Sequence, residues 1–465
     1  MRLDKSILLA FLIGLILVSF CAGASAQIVR VDGAYLSLDV RNQALTTILD
    51  EFTKAGIRIR IDPKINPRVT ASFENRPIGA ALGSILRSFD YALIWGKEKG
   101  VESAEPSLQE IQIFQKGQKG ESLPLYGKAN LVVVQNGMGV FYVKDMLLVR
   151  FDPALSKSER KTLLDLLGAT LVDESIAQGI VRLQFPQGSD VQAIAETLAA
   201  IPGIERVEPD YAYALTGANP VPVEHLSSVA ADPPSTAGST IVAVLDSGLS
   251  GDYADYSFVE GAYDAVLSGT LTGDPLGHGT QMTLIASGAV IPLGAKPENT
   301  EGTPVVAIRA FDDNGFTSDS TLIRGIDYAL ETGAKVLSMS WGSEHSSPFL
   351  ESAMDYASNQ GLIVVAAAGN TPSGIPVYPA AFKSVIGVGA LMPDGEPWTQ
   401  SNYGNFVFTY APGLADLPVG SNGLPGIYAG TSIAAAYTAR RVAIILEGNP
   451  EADLNYVLGQ LSKGE

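Results

Sequence analysis

Three short fragments carry side chains that could act together in nucleophilic catalysis. Asp246 ends the apolar run Val242 to Leu245 and is followed by a Ser-Gly turn. His278 stands in a Gly-His-Gly-Thr fragment and Ser432 in a Gly-Thr-Ser fragment, and each fragment opens a helix-like pattern. A serine hydroxyl is a weak nucleophile unless a base such as histidine removes its proton, and a carboxylate can orient that base. Asp, His, Ser is one of the chain orders in which this constellation recurs.

Each fragment alone has a simpler structural interpretation. An acid at the end of a strand is often a turn or helix cap, and a lone histidine at a helix start is more often structural than catalytic. Gly-Thr-Ser before a helix is usually an N-cap. The specificity of the signal therefore depends on finding all three in order.

Further fragments extend the pattern along the same stretch. Ala366-Ala367-Ala368-Gly369-Asn370 ends an apolar strand, and Ser338-Met339-Ser340-Trp341-Gly342 ends another. Tyr378-Pro379-Ala380 comes after the asparagine, and Ala411-Pro412-Gly413 comes before the serine fragment. On these motifs, residues 239–450 resemble the subtilisin-like serine proteases, peptidase family S8.

The resemblance implies a role for each motif residue. Asp246, His278 and Ser432 would form the catalytic triad, and Asn370 would donate to the oxyanion together with the Ser432 N–H. The substrate would lie against two segments, with Ser340, Trp341 and Gly342 in one and Ala367, Ala368 and Gly369 in the other. These walls carry no charge, so we expect a preference for an apolar residue on the acyl side of the cut bond.

The sequence departs from the family pattern at several positions. Ser247 replaces the usual threonine, Gln281 follows His-Gly-Thr, Ala436 replaces a proline, and Trp341 stands where a smaller aliphatic residue is common. The chemistry requires no cofactor, and no metal ligand is predicted. A structural calcium ion is left open, but no calcium loop of the family type is identifiable between Ala286 and Val305.

The fold expected for residues 239–465 is α/β. Near-continuous apolar runs at 241–245, 305–310, 336–340 and 363–367 alternate with helix-like patterns such as 321–330. Buried strands that alternate with helices predict a mostly parallel sheet with helices on both faces, as in subtilisins.

Residues 144–215 are expected to form a ferredoxin-like α+β unit, because the pattern runs β-α-β-β-α-β. Ser156 and Glu159 form a capping box for its first helix, and Ser189 and Gln192 a second cap. The unit resembles the inhibitory propeptides of this family, inhibitor family I9, although an unrelated ferredoxin-like module is an alternative. The proline-containing stretch 216–238 is expected to be a linker. The resemblance implies that the propeptide is an intramolecular inhibitor and that the precursor cuts itself within residues 212–239.

Residues 28–97 form a small α+β domain by the same reasoning. Their order of strand-like and helix-like runs resembles the short N-terminal domain of secretins and TonB-dependent receptors, with Asn42 as a plausible N-cap. Residues 98–143 are expected to be a linker with some strand content. Docking to an envelope partner through residues 28–97 and a simple spacer role are both left open.

Residues 1–26 have the composition of a signal peptide. Arg2 and Lys5 precede an apolar run from Ile7 to Phe20, and Ala24-Ser25-Ala26 is a small-residue cleavage site. A transmembrane anchor is the alternative. We expect export to a periplasm or out of the cell. Cys21 is the only cysteine and lies in this segment, so no disulfide is expected after its removal.

The charge of the chain limits its partners. The formal net charge is −18, and residues 221–465 hold 25 acidic and 8 basic side chains. Such a surface repels nucleic acid, and we expect protein or peptide substrates instead. Two alternatives to an active endopeptidase are a catalytically silent subtilisin-fold binding protein of the cell envelope and a sedolisin-type protease. Sedolisins use Glu where this chain has His278.

Overall fold

A computed structural model gives the fold of the chain. It describes residues 28–32, 35–54, 57–61, 65, 67–96, 107–116, 123–124, 131–175, 177–215, 219–220, 240–269, 271, 273–296, 302–419 and 425–463. The chain divides into two compact units, residues 1–128 and residues 129–465. The signal peptide expected at 1–26 lies outside the described residues, as does most of the linker expected at 216–238.

The first unit combines two small sheets with two helices. Its elements are β1 (Ile28–Asp32), β2 (Tyr35–Ala44), α1 (Leu45–Lys54), β3 (Arg58–Ile61), β4 (Arg68–Pro77), α2 (Ile78–Ile85), β5 (Asp90–Gly96), β6 (Ser107–Phe114) and β7 (Leu123–Pro124). The strands form the sheets β1-β2-β4 and β5-β6-β3-β7. Buried apolar side chains of both helices and both sheets, such as Leu38, Leu49, Ile59 and Leu82, share one core.

This unit extends beyond the boundary expected at residue 97. β6 lies in the expected linker, yet it pairs with β5 and β3 inside the sheet and buries Ile111 and Ile113 completely. The Gly-, Lys- and Gln-rich surroundings of β6 hid its alternating apolar pattern. The predicted cap Asn42 is also corrected, because it lies within β2 at a φ of 51° and helix α1 begins only at Leu45.

The second unit begins with a ferredoxin-like domain, which confirms the predicted fold. Its elements are β8 (Val133–Gln135), β9 (Phe141–Phe151), α3 (Lys157–Leu167), β10 (Thr170–Ser175), β11 (Ile180–Gln184), α4 (Val191–Leu198) and β12 (Ile204–Ala214). The strands lie in the order β10-β11-β9-β12, and every neighbour is antiparallel.

Of the two helix caps predicted for this domain, one is confirmed and the other is wrong. Ser156 and Glu159 form the reciprocal capping box, with Oε2 of Glu159 2.9 Å from the Ser156 nitrogen. At α4 the cap is Asp190, which accepts from the Ala193 N–H, and not Ser189. The domain also includes the β8–β9 hairpin, so it begins before residue 144.

The rest of the second unit is built on a seven-stranded sheet. Its elements are β13 (Asn219–Pro220), β14 (Val242–Asp246), a 3₁₀ turn (Gly251–Tyr253), β15 (Val259–Asp264), α5 (His278–Ser287), β16 (Val305–Arg309), β17 (Phe316–Ser318), α6 (Asp319–Glu331), β18 (Val336–Met339), α7 (Pro348–Asn359), β19 (Ile363–Ala367), β20 (Val385–Leu391), β21 (Thr409–Pro412), β22 (Leu414–Leu417), β23 (Gly426–Ala429), α8 (Thr431–Gly448) and α9 (Leu454–Leu461).

The seven strands are parallel and lie in the order β15-β16-β14-β18-β19-β20-β21. Successive residues of a strand face opposite sides. In β14, Val242 and Val244 pack into the core that contains α5 and α8. Ala243 and Leu245 pack into the core that contains α6 and α7. Both sides are buried, which explains the continuous apolar runs and confirms the predicted α/β class.

One strand pairing connects the sheets of the two domains of the second unit. The end of β12 pairs antiparallel with β17, so the ferredoxin-like sheet continues onto the edge of the α/β domain. Within the part of the chain that the structure describes, we found no helix of the length and apolarity needed to cross a membrane.

Candidate active site

Asp246 and His278 meet at one end of the parallel sheet. Asp246 is the last residue of β14 and His278 the first of α5, and each is only 1% exposed. Asp246 Oδ1 lies 2.7 Å from His278 Nδ1 and also 2.7 Å from the Ser247 nitrogen. Because a carboxylate can only accept, the neutral imidazole must carry its proton on Nδ1, which leaves Nε2 as a base.

Two glycines let the histidine helix approach the aspartate turn. A Cβ on Gly279 would lie 2.4 Å from the Gly248 oxygen and 2.6 Å from its nitrogen. Gly248 has a φ of 125°, and a Cβ there would lie 2.4 Å from the Gly273 oxygen. The glycines beside the predicted aspartate and histidine are therefore required by packing.

Asp274 was missed by the sequence analysis, although it holds this arrangement in place. Its Oδ1 accepts from Ser247 Oγ at 2.8 Å and from the Gly277 N–H at 2.9 Å. Its Oδ2 accepts from the N–H and the hydroxyl of Thr280, both at 2.7 Å. An acid four residues before His278, in a position to satisfy the first N–H groups of α5, is the signal that could have found it.

The electrostatic surroundings favour the protonated form of His278. Burial disfavours the imidazolium, but the charge and hydrogen bond of Asp246 and the charge of Asp274 outweigh burial and raise the pKa of His278 above its usual value. A base with a raised pKa takes up a proton more readily. Its neutral form, which is the active base, then predominates only at a higher pH.

Ser432 lies in the first turn of α8, a helix that is buried over most of its length. The N–H groups of a first turn have no partner within the helix and point outward. Ser432 Oγ donates to the Ser340 oxygen at 3.2 Å, and Ser340 Oγ donates back to the Ser432 oxygen at 3.3 Å. These bonds tie the start of α8 to the segment after β18.

Asn370 is held next to Ser432 by Thr431. The Asn370 Oδ1 accepts from the Thr431 N–H at 3.0 Å and from the Thr431 hydroxyl at 2.9 Å. The Thr431 hydroxyl oxygen in turn accepts from the Gly369 N–H at 3.1 Å. A backbone N–H can only donate, so this bonding fixes the amide oxygen and leaves the Asn370 NH₂ group as the available donor.

One cavity is formed by the residues around Ser432, which we call the serine side of the site. It is lined by the predicted Ser340, Trp341, Gly342, Ala367, Gly369, Asn370 and Ser432 and also by Ser343, Glu344, Thr371, Ser373, Val377, Asn402 and Thr431. Ala368, predicted as a third member of its wall, is fully buried and not among the lining residues. Glu344 is exposed and brings a charge that the sequence analysis did not expect.

The two sides of the site are not hydrogen-bonded to each other. His278 Nε2 is buried and has no hydrogen-bond partner among the described residues, and Ser432 Oγ is bonded to Ser340 instead. Such bonds often tighten only when substrate is bound.

Residues at the end of the ferredoxin-like domain and just after it pair with two strands of the α/β domain, β17 and β23. Tyr213 pairs with Thr317 and Ala214 with Phe316, and the Leu215 N–H donates to the Gly315 oxygen at 2.8 Å. After residues 216–218, which lie outside the described residues, Asn219 pairs with Ala429, three positions before Ser432. A segment paired in this way adds strands to the cleft, as bound peptides do.

Family models match two stretches of the chain. Residues 128–210 match the fervidolysin N-terminal prodomain and residues 237–458 match the subtilase family. Subtilisin from Bacillus pumilus is 31% identical over 222 residues, which cover 46% of this chain and 79% of that protein. The chain belongs to the subtilase family. It is a serine endopeptidase made with a prodomain.

Other subtilases resemble longer parts of the chain. The thermophilic serine proteinase of Bacillus sp. (strain AK1) is 28% identical over 323 residues, 65% of this chain and 78% of the relative. The crystal structure of fervidolysin from Fervidobacterium pennivorans shares the fold, with a TM-score of 0.52 and 23% identity over 69% of this chain and 56% of that chain. The prodomain match begins at residue 128, in agreement with the β8–β9 hairpin.

The sequence leaves a structural calcium ion open, and calcium can also be bound by backbone and amide oxygens. No group of three or more His, Cys, Asp or Glu side chains among the described residues could hold a metal ion. The described parts of the interval between Ala286 and Val305 supply no such group.

Proposed function

We propose that Asp246, His278 and Ser432 hydrolyse peptide bonds as a catalytic triad. The observation that carries this proposal is the buried 2.7 Å bond between Asp246 and His278, which leaves His278 Nε2 without a partner in the described chain. The family of the chain and the position of Ser432 at a helix start beside the same cleft support it.

The proposed reaction moves one proton at a time. His278 Nε2 takes the proton of Ser432 Oγ as the oxygen attacks the substrate carbonyl carbon, and then returns it to the leaving amine. Water repeats these steps on the acyl-enzyme and releases the acid. Asp246 keeps the imidazole proton on Nδ1 and stabilises the imidazolium.

The oxyanion would be bound by two donors on the serine side. The N–H of Ser432 points out of the first turn of α8, and the Asn370 NH₂ group is left as a donor by its bonds to Thr431. Fixed donors of this kind stabilise the charge that develops on the carbonyl oxygen.

We infer that the precursor cuts itself between Leu215 and Asn219. The pairing of residues 213–215 with β17 and of Asn219 with β23 supports this position, because both flanks are held against the catalytic domain and Asn219 pairs with Ala429, three positions before Ser432. After the cut, the prodomain would be a separate, dissociable inhibitor whose last strand still lies in the cleft. N-terminal sequencing of the mature protein tests the position.

An apolar residue remains the proposed preference on the acyl side of the cut. Gly342, Ala367 and Gly369 line the cavity without charge, whereas Glu344 lies exposed at its lining. A lysine or arginine that reached beyond Glu344 into this cavity would have to bury its charge. Two peptides that differ only at this residue, with Phe in one and Lys in the other, test the preference. Faster cleavage after Lys would indicate that Glu344 determines it.

A covalent label provides the direct test of the triad. A fluorophosphonate should modify Ser432 in the mature protein, and mass spectrometry of the labelled peptide would locate it. Label on another residue, or peptidase activity that persists after complete labelling of Ser432, would contradict the assignment.

Export and the role of the first unit remain proposals. We propose that the chain acts in a periplasm or outside the cell, in keeping with the expected signal peptide. Docking of the first unit to an envelope partner rests on its resemblance to the secretin and TonB-receptor domain. Secretion assays with residues 1–26 deleted would test the first proposal.

A further inference from the structure

Tyr213 fills a buried site at the edge of the cleft. Its side chain is 3% exposed and lies against Trp341, with the ring centroids 5.1 Å apart and the planes 34° from parallel. Phe311 meets the same tryptophan edge-on at 6.0 Å. Trp341, which stands where the family commonly has a smaller aliphatic residue, thus forms an aromatic wall for a side chain of the prodomain.

The tyrosine hydroxyl ends on a buried carboxyl group. Tyr213 Oη donates to Asp319 Oδ1 at 2.7 Å, and Ser347 Oγ donates to Asp319 Oδ2 at 2.6 Å. Asp319 is the first residue of α6 and is completely buried. Burial, followed by the charge of Asp319, raises the pKa of Tyr213 well above its usual value, so the phenol is a donor at any working pH.

The backbone of Tyr213 is paired as an added strand at the edge of the catalytic domain. It pairs with Thr317 of β17, two residues before Leu215, on the stretch that leads into the cleft. A substrate bound in the same register would place its own side chain between Trp341 and Asp319. Departure of the prodomain would vacate this pocket, so the mature enzyme can use it.

We propose that Asp319 is a specificity-determining residue of the mature protease and selects substrates with tyrosine at the position that pairs with Thr317. This inference rests on the proposed function. Phenylalanine would fill the aromatic space equally well but would leave Asp319 Oδ1 without its donor. Leaving a buried acceptor unpaired is unfavourable enough to predict about 10- to 100-fold slower cleavage of the phenylalanine substrate.

Charged side chains fit the pocket less well than tyrosine. A lysine or arginine in the place of Tyr213 would have to bury its charge, because that side chain is only 3% exposed. Alanine would leave the space beside Trp341 empty.

The test uses the mature wild-type enzyme and a peptide with the chain's own residues 210–221. Four versions carry Tyr, Phe, Ala or Lys at position 213, and kcat/KM is measured for each. We expect Tyr to exceed Phe by about 10- to 100-fold and to exceed Ala and Lys by more. Equal rates for Tyr and Phe, or the fastest cleavage with Lys, would overturn the inference.

Variants locate the effect on Asp319. Asp319→Ala should bring the Tyr-to-Phe ratio to about one, whereas Asp327→Ala, on the same helix and bonded to Ser175 and Gln178 of the prodomain, should keep the wild-type ratio. An unchanged ratio in Asp319→Ala would contradict the inference. If Asp319→Ala does not fold, the wild-type peptide series still decides. Failure of the proposed function would appear differently, as no cleavage of any of the four peptides.

Discussion

The histidine side and the serine side of the cleft are built in different ways. On the histidine side, one carboxylate, Asp274, holds the turn after β14 and the start of α5 through four hydrogen bonds. On the serine side, Thr431 ties Asn370 to the start of a buried helix. Each side is fixed internally, while the bond between His278 and Ser432 is not formed. For the proposed triad, we expect substrate to bring these two pre-organised halves together.

The largest expected effect is on the serine side. Ser432→Ala should lower turnover by about 10⁶-fold, the loss typical of a triad nucleophile. It should also leave the precursor uncut, whereas the wild type matures at a bond between Leu215 and Asn219. Gel analysis and N-terminal sequencing in a host that lacks other proteases measure both.

The control for this change is a folded protein. Circular dichroism and the thermal midpoint of Ser432→Ala should match those of the wild-type precursor. Maturation of the variant at the wild-type bond would show that cleavage is not its own.

Asn370→Ala should act through the transition state alone. Loss of one oxyanion donor lowers turnover by about 10²–10³-fold, a figure established for subtilisin, with little change in KM. Steady-state kinetics of the mature enzyme separate the two constants. A large rise in KM at unchanged turnover would make Asn370 a substrate-binding residue instead.

Asp274→Asn should sharpen the contrast by acting only on the histidine side. It removes one of the charges that raise the pKa of His278, so the acid limb of kcat/KM against pH should move to lower pH. The base is active when neutral, so a lower pKa extends activity to lower pH. An acid limb that does not move, with reduced thermal stability, would leave Asp274 a purely structural residue.

A matched change far from the histidine provides the control for that experiment. Asp355 accepts a hydrogen bond from Ser384 Oγ at 2.8 Å on the opposite face of the sheet. Asp355→Asn should therefore leave the acid limb in place.

The smallest expected effect concerns release of the cleaved prodomain. Burial raises the pKa of Glu208 on β12 from 4.5 to about 7, against the opposing charges of Arg206 and Arg150. A raised carboxyl pKa stabilises the bound state fully below 4.5 and loses that contribution as the pH rises through 7. Retention of the prodomain by labelled, inactive enzyme should therefore fall as the pH rises from 4.5 to about 7, as measured by gel filtration.

Protonation of His345 should change the retention of the prodomain with pH in the opposite direction. His345 stacks edge-on against Tyr211 of the prodomain at 4.2 Å, and burial lowers its pKa below 6.5. Its contribution is lost as the pH falls, so it cannot explain release as the pH rises. Glu208→Gln should flatten the decrease between pH 4.5 and about 7. A decrease of equal size in that variant would assign the effect to other groups.

The sequence predicted best what is encoded locally. Asp246, His278, Ser432 and Asn370 each lie at the end of an apolar run or the start of a helix, and the structure brings them to one edge of the sheet as the order of elements requires. Their catalytic roles remain predictions. The α/β class followed from strands buried on both faces and is confirmed.

What the sequence did not predict depends on contacts between distant segments. Tyr213 and Asp319 are 106 residues apart, and no local pattern links a phenol to that carboxyl. β6 was assigned to a linker because its neighbours are polar and rich in glycine. Asp274 lacks a motif of its own, since a single acid before a helix is common.

Helix α8 has a consequence for the lifetime of the enzyme. Its first ten residues, Thr431–Arg440, are all buried, so this segment opens only when the core opens. A peptide bond must be drawn out as extended chain before another copy of the enzyme can cut it. Amide hydrogens around Ser432 should therefore exchange with solvent as slowly as any in the molecule. We expect self-digestion to begin elsewhere, so that a nicked molecule would keep Ser432 in place.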